Sequence, residues 1–168
     1  EDFFFQEFMP FIEKEYRVKS EKRFRAIAGL SMGGGGSFIY ALRHPDLFSS
    51  ACPLSGNMGN ITLDDFKTAH KESIQNLKRE TIYNYYSNHN ALSIIKNQSE
   101  AKLKSVKWYI DCGDDDFLYE GNSLVHIALK KRNIPHEYRV RDGAHNWTYW
   151  RSALSSVLQF VSGYFHQL

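Results

Sequence analysis

The pentapeptide Gly29-Leu30-Ser31-Met32-Gly33 constrains this chain more than any other stretch. It fits G-x-S-x-G, the pattern of a sharp turn from a strand into a helix that carries an exposed serine. Arg23 to Ala28 reads as the strand, with Phe24, Ala26 and Ile27 apolar, and Ser37 to Arg43 reads as the helix, stopped at His44-Pro45. Such a turn strains the serine backbone and presses the helix onto the strand. Gly29 and Gly33 lack a Cβ and are expected to permit that approach. The free N–H groups of the helix start, Met32 among them, point toward negative charge developing at Ser31. Phosphate-binding loops are excluded. Gly36 is followed by Ser37-Phe38 rather than Lys and Ser/Thr, and Gly33 to Gly36 lack the spacing G-x-G-x-x-G.

The remainder of the chain is of a kind that can house this turn. Its 168 residues suffice for one domain with a substantial core, and 42% hydrophobic with 24% charged residues is a globular composition. The net charge is +2 and no Lys/Arg run dominates, so no nucleic-acid partner is expected. No run of 18 apolar residues exists, so no transmembrane helix and no membrane partner are expected. Cys52 and Cys112 form neither a disulfide framework nor a metal pattern, and both read as buried free thiols. No metal and no cofactor are expected. The N-terminus carries neither methionine nor a signal-peptide pattern, so localisation is not legible there.

Taken in order, residues 2–16 carry Phe4, Phe5, Phe8, Met9, Phe11, Ile12 and Tyr16, a helical stripe expected to face the core and to bend at Pro10. Ser49 to Ser55 reads as a second strand ending at Gly56. Residues 57–104 are poorer in apolar side chains and rich in Asn, Lys, Ser and Tyr. Thr62 with Asp65 resembles a helix-start box leading into a helix to about Glu80. Tyr83, Tyr85 and Tyr86 lead to a loop at Asn88-His89-Asn90, and Ala91 to Lys96 is a short helix. This segment reads as a mostly helical insertion over the sheet edge, the alternative being an ordinary long connection. Val106 to Cys112 is a strand, Gly121 to Arg132 a helix, His136 to Val140 a strand and Trp150 to Phe165 a final amphipathic helix. Strands alternating with helices predict an α/β fold in one domain, 1–168, with a mostly parallel sheet covered on both faces.

In such a sheet the loops at the carboxyl ends of the strands converge. Three of them hold Ser31, the cluster Asp114-Asp115-Asp116 and His145, in the chain order serine, acid, histidine. Of seven histidines, only His145 follows a strand end and a glycine while preceding a helix. His44, His70, His89, His126, His136 and His166 lie at helix ends, in the insertion, mid-helix, at a strand start or at the terminus. Serine is a weak nucleophile alone and needs an imidazole to take its proton and a carboxylate to orient that imidazole. Asp111 lies inside its strand. Mutual repulsion among the three loop aspartates predicts that at least two of them face solvent.

The stretches Gly29-Leu30-Ser31-Met32-Gly33-Gly34, Ile110 to Asp116 and Gly143-Ala144-His145-Asn146-Trp147 resemble the "Putative esterase" family, also called the esterase D or feruloyl esterase-like family of α/β-hydrolases. The resemblance runs from about Phe3 to the end. It implies an α/β-hydrolase fold, with Asp116 as the acid three residues after the strand-ending glycine. The spacing of Trp147 and Trp150 after His145 is most similar to the feruloyl and acetylxylan esterase branch. What the resemblance implies is a serine carboxylesterase working through an acyl-enzyme, with catalytic Ser31, Asp116 and His145 and with Met32 N–H as one oxyanion donor. The substrate class would be small-molecule or carbohydrate-linked esters, such as feruloyl or acetyl esters of plant polysaccharide. An acyltransferase like the mycolyltransferases, a thioesterase like S-formylglutathione hydrolase and a non-catalytic carbohydrate-binding module are the alternatives. Secretion or a periplasmic location would follow from a carbohydrate esterase, and a homo-oligomer is left open. Tyr85, Tyr86 and Trp147 are candidate substrate-binding residues, Trp147 alternatively a buried anchor for the last helix. Family members have roughly a hundred residues before the elbow, against 30 before Ser31 here, so the chain resembles a C-terminal portion without the N-terminal strands and without the second oxyanion donor.

Overall fold

A computed structural model describes residues 1–59 and 61–165; His166 lies outside them. A π-helical turn at Phe3–Phe8 runs into α1 (Met9–Glu15), with Pro10 in its first turn. The core elements are β1 (Ala26–Leu30), α2 (Met32–Arg43) and β2 (Ser50–Leu54). Five short helices follow: α3 (Leu63–Ala69), α4 (Lys71–Ile74), α5 (Arg79–His89), α6 (Ala91–Asn97) and α7 (Glu100–Lys104). The chain then completes β3 (Lys107–Gly113), α8 (Tyr119–Lys131), β4 (His136–Arg141) and α9 (Trp147–Phe165). The sheet is wholly parallel in the order β1-β2-β3-β4.

The period-two alternation of the strands builds two cores. On one face Ala51, Trp108 and Ile110 pack with Phe38 and Leu42 of α2, Ile95 of α6 and Val125 and Leu129 of α8. On the other, Cys52, Leu54 and Tyr109 pack with Tyr149, Trp150, Ala153 and Val157 of α9. Helices thus cover both faces, as parallel strands buried on both sides require. Burial pushes the thiols of Cys52 and Cys112 up to about 12, the charges of Glu137 and Asp116 respectively adding to the effect. Neither thiol is therefore ionised at neutral pH or a competing nucleophile.

Several boundaries differ from the sequence reading. β1 starts at Ala26, because Lys22–Phe24 forms a 3-10 turn. α2 starts at Met32 and not at Ser37, despite four successive glycines that are poor helix formers. Backbone from the end of β2 passes so close that side chains would not fit. A Cβ on Gly34 would lie 2.7 Å from the Leu54 carbonyl oxygen, and one on Gly29 would lie 2.3 Å from that of Gly33. A Cβ on Gly33 would meet nothing within 4 Å, so the close approach falls on Gly29 and Gly34 rather than on Gly29 and Gly33. The expected box at Thr62 is present, with Asp65 N–H donating to Thr62 Oγ1 and Thr62 N–H donating to the Asp65 carboxylate. The helix it opens ends at Ala69 instead of continuing to Glu80. The expected loop at 88–90 is helical through His89, and Asn90 caps α6 by accepting from Ser93 N–H. α9 begins at Trp147, three residues early, because Asn146 Oδ1 accepts from Tyr149 N–H.

The N-terminal stripe is half-buried rather than core-facing. Phe4 and Phe5 pack on Tyr40 and His44, while Phe3, Phe8 and Phe11 are exposed. Between these helices and α9 runs an apolar groove of about 470 Å³ along β1, lined by Phe8, Ile12, Phe24, Ala28, Leu158 and Val161 among others. β1 pairs with β2 on one side, and among the described residues no strand pairs with its other edge. Exposed apolar edges template aggregation. Residues 1–168 expressed by themselves are therefore expected to be poorly soluble or without ester turnover. Size-exclusion chromatography with a turnover assay checks this, and a soluble, fully active monomer would contradict it.

Candidate active site

The strand-to-helix turn after β1 places Ser31 at φ 55° and ψ −118°, a left-handed conformation that a serine adopts at a cost of about 1–3 kcal/mol. The turn is held by hydrogen bonds from Ser31 N–H to the Leu54 carbonyl and from Gly35 and Asn57 N–H to the Ser31 carbonyl. Met32 opens α2, and among the described residues its backbone N–H has no acceptor. Its side chain is 85% exposed.

The loop after β3 carries the three aspartates into different surroundings. Asp114 and Asp115 are exposed, whereas Asp116 is 3% exposed. Its Oδ1 accepts from Leu118 N–H at 2.9 Å, and its carboxylate faces His145 Nδ1 at 2.9 and 3.0 Å. With Nδ1–H donating to Asp116, Nε2 is left to accept from the Ser31 hydroxyl, 2.8 Å away. Three loops at the carboxyl ends of β1, β3 and β4 therefore bring Ser31, Asp116 and His145 into one continuous hydrogen-bonded line.

The other described histidines are engaged elsewhere. His44 and His89 approach Glu1, His70 stacks on Phe66, and His126 and His136 bond each other at 2.7 Å. Asp114, Asp115 and Asp142 present carboxylate oxygens within 4.8 Å of one another, the one trio of potential metal ligands among the described residues. All three are exposed and stand outside the hydrogen-bonded line.

Aromatic side chains frame the histidine. The Phe117 ring lies 4.5 Å from that of His145 and is 74% exposed. Trp150 meets His145 edge-on at 4.9 Å and donates from Nε1 to Ser55 Oγ. Trp147 packs edge-on against Trp150 at 5.4 Å but is itself 59% exposed. The buried anchor of α9 is therefore Trp150, and Trp147 stands at the rim. Tyr85 stacks on Phe66 and His89, and Tyr86 donates to the Ile61 carbonyl. Neither makes a hydrogen bond or ring contact with Ser31, Asp116 or His145. Tyr86 does line a cavity of about 540 Å³ with Ile61, Glu120 and Leu124, beside the first turn of α8.

Compared with known families, residues 1–161 match the one described as "Putative esterase". The chain belongs to this esterase family. An acetyl esterase of Caldicellulosiruptor saccharolyticus is 24% identical over 178 residues, covering 96% of this chain and 63% of that protein. A solved ferulic acid esterase superimposes with a TM-score of 0.81 at 40% identity, covering 98% of this chain and 60% of that one. An S-formylglutathione hydrolase from Agrobacterium tumefaciens shares the fold, with a TM-score of 0.79 at 19% identity over 98% of this chain and 57% of its own. The fold is that of the α/β-hydrolase esterases, and the chain spans about three fifths of the length of these relatives.

Two features of this esterase-family chain escaped the sequence reading. Phe117 is adjacent in sequence to the acid, and a signal existed in that adjacency: a large apolar residue between Asp116 and a helix start has no strand or helix stripe to join. Asp111, by sequence a residue inside its strand, is a fully buried carboxylate near the carboxyl end of β3. No periodicity argument distinguishes it from an outward-facing polar position.

Proposed function

We propose that the protein containing this chain is a serine carboxylesterase, and that Ser31, His145 and Asp116 carry its chemistry. The observation behind this reading is the unbroken line from Ser31 Oγ to His145 Nε2 and from His145 Nδ1 to Asp116. Ser31 Oγ attacks the ester carbonyl carbon while His145 Nε2 takes the hydroxyl proton. The same proton then passes to the leaving alcohol as the carbonyl reforms, which leaves an acyl-enzyme. Water, deprotonated by His145, releases the acid and restores Ser31. Asp116 keeps Nδ1 protonated and balances the imidazolium charge. Met32 N–H, at the start of α2, is one donor to the tetrahedral oxyanion. No second donor is assigned among the described residues; in complete α/β-hydrolase sheets it comes from a loop that precedes the nucleophile turn.

Phe117 beside His145, and Trp147 one ring further out across Trp150, supply two exposed aromatic faces, which suits a flat aromatic acyl group better than an acetyl group. The 40% identity to a ferulic acid esterase supports the same aromatic acyl class, and the acetyl esterase relative keeps acetyl esters as the second substrate to compare. Tyr86 and its cavity are proposed to receive the alcohol side, with Tyr85 of the same helix as a second candidate.

The test is a ratio. Phe117→Ala and Trp147→Ala in the complete protein are expected to lower kcat/KM for a feruloyl ester by about tenfold each, and to change acetyl ester turnover by less than about twofold. A Tyr86→Phe variant should alter the dependence on the alcohol and leave the acyl preference unchanged. Equal losses on feruloyl and acetyl esters would remove the aromatic acyl assignment.

A further inference from the structure

Asp111 has no part in the line from Ser31 to Asp116, yet it is wholly buried and accepts three hydrogen bonds. Tyr149 OH donates to Oδ1 at 2.5 Å, Tyr109 OH to Oδ2 at 2.7 Å and Arg141 Nη2 to Oδ2 at 2.6 Å. A buried carboxylate costs several kcal/mol of desolvation, and an apolar side chain of similar volume would often serve stability as well. The positions of the donors say what else the carboxylate does. Arg141 ends β4 and Tyr149 lies in the first turn of α9. Between them runs the loop 142–146, and His145 sits four residues from each. The Arg141 guanidinium also lies 5.3 Å from the Tyr149 ring centre, so the two flanks of the loop touch each other over Asp111. Inside the loop, Gly143 has φ +144°, and a Cβ there would come within 2.5 Å of the Tyr149 ring. The loop is therefore folded tightly onto the residue that Asp111 fixes.

We propose that Asp111 is a positioning residue for His145, holding both ends of the imidazole-bearing loop through Arg141 and Tyr149. The proposal rests on the reading of His145 as the general base. Asp116 orients the ring from its Nδ1 side, and Asp111 sets where the loop's backbone places that ring above β3. Tyr109 separates this role from a merely structural one. It donates to the same carboxylate from the same depth, but it stands on β3 and on neither end of the loop.

The experiment compares Arg141→Met, Tyr149→Phe, Asp111→Asn and Tyr109→Phe in the complete protein. Two readouts are taken: kcat and KM on p-nitrophenyl acetate, and the far-downfield proton resonance of His145 Nδ1–H in the resting protein. Misplacing a catalytic group slightly is costly, so Arg141→Met and Tyr149→Phe are each expected to lower kcat about 10- to 100-fold with KM within about twofold. Both should also shift or broaden the resonance. Tyr109→Phe should leave kcat and resonance as in the parent. Asp111→Asn should give the largest loss, and the single-tether variants decide the matter if that variant does not fold. Unchanged kcat and resonance in Arg141→Met and Tyr149→Phe would overturn the proposal, as would an equal loss in Tyr109→Phe. If the unsubstituted protein shows the resonance but turns over no ester, the esterase reading fails, and the resonance comparison among the variants still decides the clamp.

Discussion

Ser31→Ala in the complete protein is expected to lower kcat for p-nitrophenyl acetate by about six orders of magnitude. The size follows from what the residue is placed to do. Ser31 Oγ is the hydroxyl within hydrogen-bond reach of His145 Nε2, and its backbone is held in a left-handed turn. Both cysteine thiols sit at about 12 and are buried, so neither can stand in as nucleophile. What survives in the variant is hydrolysis by water, helped by the oxyanion donors and by substrate binding. KM should change little, because the lost bond is made in the transition state and not on binding. Alanine tolerates the same φ no better and no worse than serine, so the fold should be retained. Circular dichroism and a thermal transition alongside the kinetics would separate lost chemistry from lost structure. Equal turnover in variant and parent would remove Ser31 from the reaction.

Asp116→Asn is expected to lower kcat by about four orders of magnitude, as an orienting acid does when its charge is removed and the histidine tautomer reverses. An amide presented to Nδ1 can donate as well as accept. If it donates, Nδ1 loses its proton, Nε2 gains one, and Nε2 can no longer accept from Ser31. Asp114→Asn and Asp115→Asn serve as controls of the same chemistry on the same loop. Both side chains are exposed, and Asp114 instead accepts from Gly143 N–H at 3.1 Å. Their kcat values should stay within about tenfold of the parent, since exposed carboxylates in a high dielectric contribute little. A crippled Asp114→Asn beside a near-normal Asp116→Asn would show that the acid lies at the other end of the loop.

Much of this architecture was legible in the sequence because it depends on local constraints. The G-x-S-x-G turn demands a strand before it and a helix behind it. Ser31, the aspartate run and His145 then fall at three strand ends, and the resemblance to the esterase family singles out Asp116 from the run. The succession of strands and helices likewise reads as a parallel sheet covered on both faces. What was not legible depends on contacts between distant backbones. Helix propensity argued for a start at Ser37, but the carbonyl of Leu54 requires a glycine at 34, and the helix therefore runs through the glycines. Asn146 reads as a loop residue until its side chain is seen capping α9. The tyrosines of α5 read as an aromatic cluster at a turn of the insertion. The rings of Tyr85 and Tyr86 meet Phe66 within the insertion, and Phe117, one residue beyond the acid, lies 4.5 Å from the imidazole. Asp111 could not be found at all by pattern, because its three donors come from two other elements and its own strand.

Among the described residues no strand pairs with the outer edge of β1 and no second oxyanion donor is assigned. The relatives of which this chain covers about three fifths are longer, and the kinetic comparisons above are accordingly framed on the complete protein. Within the chain itself, the claim on which everything else depends is that Ser31 is an activated nucleophile. An alkyl fluorophosphonate probe reports this without any choice of ester, since it reacts with a serine only when a neighbouring base removes its proton. Treated with such a probe, the complete protein is expected to carry one adduct, which peptide mass spectrometry places on Ser31. The adduct should be absent from Ser31→Ala and greatly slowed in His145→Ala. A folded protein left unlabelled at Ser31, or labelled equally well without His145, would contradict the account.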